Sequence, residues 1–99
     1  MQDTRANIEI SVELFGIPRI RAGRQEIHLV LPADAGKLEL VEALARECPV
    51  LVGPVLREDR SDLQEGYVFN HNGVSFLSGD SLELQAGDFL LLLSSQAGG

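Results

Sequence analysis

The sequence has one cysteine, Cys48, and two histidines, His28 and His71. One cysteine excludes an intramolecular disulfide framework and a cysteine-based zinc site. Two histidines are too few for a histidine-based metal site without help from carboxylates. Basic residues are also scarce, with 8 Lys and Arg against 15 Asp and Glu and a formal net charge of -7. That balance argues against neutralising the phosphates of DNA or RNA and against docking on an anionic membrane. An acidic chain of this kind is better matched to a basic protein surface. Long apolar runs are missing too. The longest, Phe89 to Leu93, falls far short of the roughly 20 residues that a membrane-spanning helix needs. Met1 to Asn7 is polar and lacks the apolar core of a signal peptide, so a cytoplasmic location is expected. There is no phosphate-cradling glycine loop, nucleophile elbow or metal-ligand spacing. Asp59 with Asp62, and Asp80 with Glu83, read as solvated loop charges. Neither a metal nor a bound cofactor is expected.

What is present is a globular composition, 44% hydrophobic over 99 residues, sized for one domain. Ile8, Ile10, Val12 and Leu14 alternate with Glu9, Ser11 and Glu13. This period of two predicts a half-buried strand over 7–15. Phe15 falls on its polar face. Gly16-Ile17-Pro18 through Gly23 carries turn residues and Arg19, Arg21 and Arg24, which reads as a hairpin connection with a solvated basic loop. Ile27, Leu29 and Leu31 resume the alternation until Pro32. From Lys37 to Cys48 the period changes. Leu40, Val41, Leu44, Ala45 and Cys48 form one helical stripe, with Asp34 as the upstream capping candidate and Pro49 as the stop.

Residues 49–66 form a long connection. Within it Leu51, Val52, Val55 and Leu56 have helical spacing, and Pro54 suits a first turn. Tyr67-Val68-Phe69 reads as a strand, Asn70-His71-Asn72-Gly73 as a tight turn, and Val74 to Leu77 as the returning strand. Leu82 and Leu84 precede an Ala86-Gly87-Asp88 turn. Phe89 to Leu93, apolar on both faces, is the last strand. The order β-β-α-β-(β)-β gives an α+β chain, a mixed sheet with one main helix packed across it. This is the β-grasp (ubiquitin-like) arrangement, with the first and last strands parallel neighbours at the centre. The expected division is a β-grasp domain over 1–93 and a flexible tail over 94–99.

The tail ends in Gly98-Gly99. Six extended residues reach roughly 20 Å. Two glycines, having no side chains, fit a channel too narrow for other residues. The functional group they would deliver is a carboxylate. Taken with Val12-Glu13-Leu14-Phe15-Gly16 through Arg19 and Gly23, and with Leu84-Gln85-Ala86-Gly87-Asp88-Phe89-Leu90 running on to the glycine pair, the chain resembles the MoaD/ThiS-type ubiquitin-like sulfur-carrier proteins over about residues 8–99. Among these it resembles most the small subunit of molybdopterin synthase. The resemblance implies that Gly99, preceded by Gly98, is adenylated by an E1-like enzyme that uses ATP. Gly99 then becomes a thiocarboxylate and donates sulfur to a large synthase subunit or another sulfur-acceptor enzyme. The carrier itself would be no catalyst. Other branches of the family serve thiamine or cysteine biosynthesis. Ser94-Ser95-Gln96-Ala97 replaces the prolines frequent in molybdopterin-type members. A ubiquitin-like modifier joined to lysines through Gly99 is the alternative.

A partner surface is expected beside the tail. If Leu90 and Leu92 face the helix, Leu91 and Leu93 lie on the open face of the sheet, beside Phe15 of the first strand, and Phe76 extends the patch. Exposed apolar patches of this kind mark protein interfaces. Cys48 reads as a core residue, His71 as a turn residue, and His28 as exposed.

Overall fold

The computed structural model describes residues 7–77 and 82–95. Its elements are β1 (Asn7–Leu14), α1 (Ile17–Ala22), β2 (Glu26–Pro32), α2 (Lys37–Glu47), a 3-10 turn (Pro49–Leu51), β3 (Tyr67–His71), β4 (Ser75–Phe76) and β5 (Phe89–Ser94). The strands form one sheet in the order β2-β1-β5-β3-β4. β1 and β5 run parallel, and the other neighbouring pairs are antiparallel. The fold is therefore the expected β-grasp, with α2 packed across a mixed sheet.

The core follows the two periodicities. Ile8, Ile10, Val12 and Leu14 of β1 are buried, as are Ile27, Leu29 and Leu31 of β2 and Leu90 and Leu92 of β5. α2 covers them with Leu40, Val41, Leu44 and Ala45, and Cys48 is buried just past its end. Each buried aliphatic side chain contributes about 1.5–3 kcal/mol relative to exposure. Leu82 and Leu84 are also buried, although they belong to no regular element. Burial pushes the Cys48 thiol up from its ordinary value, opposed by the charge of Arg24, which suits a packing role.

Four local expectations need correction. The connection between β1 and β2 is not a plain hairpin loop, because it holds the helix α1. Pro18 sits in its first turn, and Gly23, at φ 70, closes it by donating its N–H to the Arg19 carbonyl. Proline and glycine at these two ends are helix signals as much as turn signals. In the long connection the helical turn is at Pro49–Leu51, so Pro49 rather than Pro54 opens it, yet Leu51, Val55 and Leu56 are fully buried. The N-cap of α2 is Gly36, not Asp34, and its N–H donates to the Glu39 carboxylate at 2.8 Å. The tight turn is shifted by one residue. Val74 N–H donates to the His71 carbonyl at 2.9 Å, with Asn72 and Gly73 both at positive φ, and strand pairing resumes between His71 and Ser75. His71 and Asn70 consequently belong to β3.

Candidate functional site

The register of the sheet sets out its open face row by row. One row reads Glu26, Glu13, Leu91, Asn70, Phe76 across β2, β1, β5, β3 and β4. The next row towards the end of β5 pairs Leu93 with Val68. The open face therefore divides into an apolar half on β5, β3 and β4, and an acidic half on β1 and β2 that also carries Glu9. Leu91 and Leu93 are half-buried, Phe15 is 41% exposed and Phe76 is 63% exposed.

Phe15 and Leu93 come together where β5 ends. The Phe15 N–H donates to the Leu92 carbonyl at 3.1 Å, just past the last paired residue of β1. Phe15 and Leu93 line a cleft of about 280 Å³ with Ile17, Pro18, Tyr67 and Ser94. Phe76 lies apart from this cleft on the edge strand, with Asn70 between it and Leu91. Asn70 is 8% exposed, and among the described residues its Oδ1 has no hydrogen-bond partner. Ile17, Pro18 and Tyr67 are the cleft residues that sequence reasoning missed. For Ile17 and Pro18 the signal was the Pro18 and Gly23 pair, which makes a helix and so turns them back beside β5, whereas Tyr67 reaches the cleft by strand pairing with Ser94.

The chain leaving the sheet stays anchored for a short distance. Ser94 pairs with Tyr67, one residue beyond the expected end of the strand, and the Ser95 N–H donates to the Gly66 carbonyl at 2.8 Å. Gly98 and Gly99, with the rest of the tail from Gln96, lie outside the described residues.

The opposite end of β5 is held by Asp88. Its carboxylate accepts hydrogen bonds from His71 Nε2 at 2.7 Å, from the Gln85 N–H at 2.9 Å and from Asn72 Nδ2 at 3.3 Å. Burial pushes this carboxyl up, but the hydrogen bonds outweigh burial and hold it below its ordinary range. Asp59 is likewise lowered, through hydrogen bonds from the Ser61 hydroxyl and N–H. Its partner in the expected loop pair, Asp62, makes an ion pair with Lys37 at 3.4 Å. Asp80 lies outside the described residues. Among the described residues no group of three or more His, Cys, Asp and Glu could hold a metal ion, and no helix is long and apolar enough to cross a membrane.

Solved structures share this architecture. A crystal structure of small archaeal modifier protein 1 from Haloferax volcanii superposes with a TM-score of 0.75 at 25% identity, covering 92% of this chain and 99% of that one. A second crystal structure of that protein gives 0.71 at 25% identity, covering 86% and 94%. The solution structure of small archaeal modifier protein 1 from Methanosarcina acetivorans gives 0.72 at 22% identity, covering 95% and 99%. This chain has their β-grasp fold. No protein-family model matches the chain, and no curated protein matches it. The similar structures span nearly the whole β-grasp chain, so its five strands and main helix are the shared unit.

Proposed function

We propose that this β-grasp chain is a ubiquitin-like sulfur carrier acting through Gly99. The observation that carries the reading is the end of β5. The central strand delivers Ser94 and Ser95 to the rim of the sheet beside the apolar cleft of Phe15 and Leu93. A partner enzyme gripping that cleft would have the glycine pair within its reach, since four extended residues span about 14 Å. In the proposed cycle an E1-like partner catalyses attack of the Gly99 carboxylate on the α-phosphate of ATP, releasing pyrophosphate and leaving an acyl-adenylate. Hydrosulfide-level sulfur then displaces AMP to give the thiocarboxylate, whose sulfur attacks an electrophilic carbon in the acceptor enzyme's substrate, and water cleaves the acyl–sulfur bond, leaving sulfur on that carbon and restoring the Gly99 carboxylate. Within this reading the acceptor is a large synthase subunit that builds the dithiolene of molybdopterin, with thiamine or cysteine biosynthesis as alternative sinks. The apolar half of the open face, with Phe15, Leu91, Leu93 and Phe76, would dock these enzymes.

A second reading, conjugation of Gly99 to lysine ε-amines, is favoured by the similarity to small archaeal modifier protein 1. Intact-mass measurement after incubation with an E1-like enzyme, ATP and a sulfur donor separates the two. Sulfur carriage predicts a mass gain equal to the exchange of one oxygen for one sulfur, abolished by removing Gly98 and Gly99. Lysine-linked adducts on other proteins without that gain would favour the modifier. Full function after removal of the two glycines would sink both.

A further inference from the structure

Among the described residues β2 is an edge strand, and its outer rim is unpaired. The Leu14 N–H donates to the Gln25 carbonyl, which fixes the phase of the β1–β2 ladder. Because hydrogen-bonded pairs alternate along antiparallel strands, the ladder uses the backbone groups of Ile27, Leu29 and Leu31. The N–H and C=O groups of Glu26, His28 and Val30 point outward, and among the described residues they have no backbone partner. The opposite edge strand, β4, is two residues long, whereas β2 runs for seven with its proline, Pro32, at the very end. Proteins ordinarily blunt so long an edge, because it is a template for another strand.

Charge decides what can be added. The side chains of Glu26, His28 and Val30 lie on the open face, and Glu26 stands directly opposite Glu13 of β1, with Glu9 on the same face. Like charges directly opposite across strands are destabilising. His28 lies 3.4 Å from Glu26. Pairing β2 with a second copy about a two-fold axis would merge two such acidic faces in chains that each carry a net charge of -7. A strand with a basic residue opposite Glu26 and an apolar residue opposite Val30, itself 61% exposed, satisfies the open backbone groups and the charges together. The residues opposite Ile27 and Leu29 would turn to the other face, where α2 packs against β2, and there apolar side chains fit.

We propose that the outer rim of β2 captures an extended basic and apolar peptide segment of a partner protein as an added antiparallel strand. This goes beyond the tail-based reading and does not rest on it, because β2 lies on the far side of β1 from β5.

The test titrates the nitrogen-labelled full chain with the acetylated, amidated peptide VITVRKK and with its control PIPVRKK, whose prolines, opposite Val30 and His28, remove donors that face β2. Binding of the first should shift the amides of Glu26, His28 and Val30 and slow their hydrogen exchange, and it should weaken with salt. Val30→Pro removes an outward donor without touching the β1 ladder, and should weaken binding about tenfold. Glu26→Lys keeps the strand intact. It should lose the basic peptide and gain the counterpart carrying Glu at the three basic positions. The proposal is overturned by equal binding of the proline control or of Val30→Pro. It is equally overturned by shifts confined to the apolar half, by failure to bind at millimolar peptide, or by self-association through the β2 amides.

Discussion

Asp88 ties together two strands that lie far apart in the chain. Its carboxylate receives His71 and Asn72 from the end of β3, while Asn72 Oδ1 accepts the Phe89 N–H at the start of β5 at 2.9 Å. The side chain is 15% exposed, so leaving its donors without an acceptor is costly. Asp88→Ala is expected to lose about 1–3 kcal/mol at neutral pH by urea denaturation, the cost of unsatisfied buried groups. The acid limb carries a sign. The folded carboxyl is held below its ordinary range, so its stabilisation is complete above the unfolded value of about 3.9. It is lost as pH falls through the lower folded value. Urea midpoints measured from neutral to acid should therefore drop in the wild-type chain and drop less steeply in Asp88→Asn. In the sequence His71 belonged to a turn and Asp88 to another turn, 17 positions away. Nothing in either local pattern signals the contact, because strand pairing alone makes it.

At the scale of elements, β5 joins the two halves of the sheet, lying between β1 and β3. Leu92 is fully buried between Leu14 of β1 and Phe69 of β3, which are its register partners. Leu92→Ala should cost about 2–5 kcal/mol, whereas Leu91→Ala, on the open face and half-buried, should cost clearly less. Chemical denaturation of the two variants checks the assignment of faces. Equal losses would mean that the open face is as well packed as the core. α1 is the element least legible in the sequence. Six residues are too few to show a helical period, and their glycine and proline ends are shared with turns. Gly16 precedes it at φ 65 and ψ -131, a region costly for any residue with a side chain. The sharp entry to α1, and with it one wall of the cleft, depends on that glycine.

For the whole molecule, the arrangement separates packing from contact. The core lies between α2 and one face of the sheet, so the open face is free to vary in charge and hydropathy without loss of fold. Phe15→Asp and Leu93→Asp should accordingly leave the thermal midpoint nearly unchanged. On the proposed function, each should weaken binding to the E1-like partner about tenfold or more, as truncation of interface anchors does. Unfolding of either variant would instead make that residue part of the core. Much of the architecture was legible beforehand. β1, β2 and α2 follow from their periods, β5 follows from its unbroken apolar run, and the central parallel pairing follows from the order of elements. The expected apolar patch was legible in part. Phe15 and Leu93 share one cleft, but Phe76 stands two strands away from Leu91.

The sequence by itself determined which side chains point inward. A strand repeats every two residues and a helix every 3.6 whatever surrounds them, so Ile8 to Leu14 and Leu40 to Ala45 declare their faces locally, whereas in Phe89 to Leu93, apolar on both faces, the structure picks Leu90 and Leu92 as the inward pair. It also supplied the acidic balance and the glycine pair on which the proposed chemistry rests. The tertiary structure decided which of these residues meet. Register between strands distant in the chain set Glu13 opposite Glu26, placed Asn70 between Phe76 and Leu91, and, among the described residues, left one rim of β2 open. Those contacts depend on how the chain crosses over and returns, and no local period encodes that path.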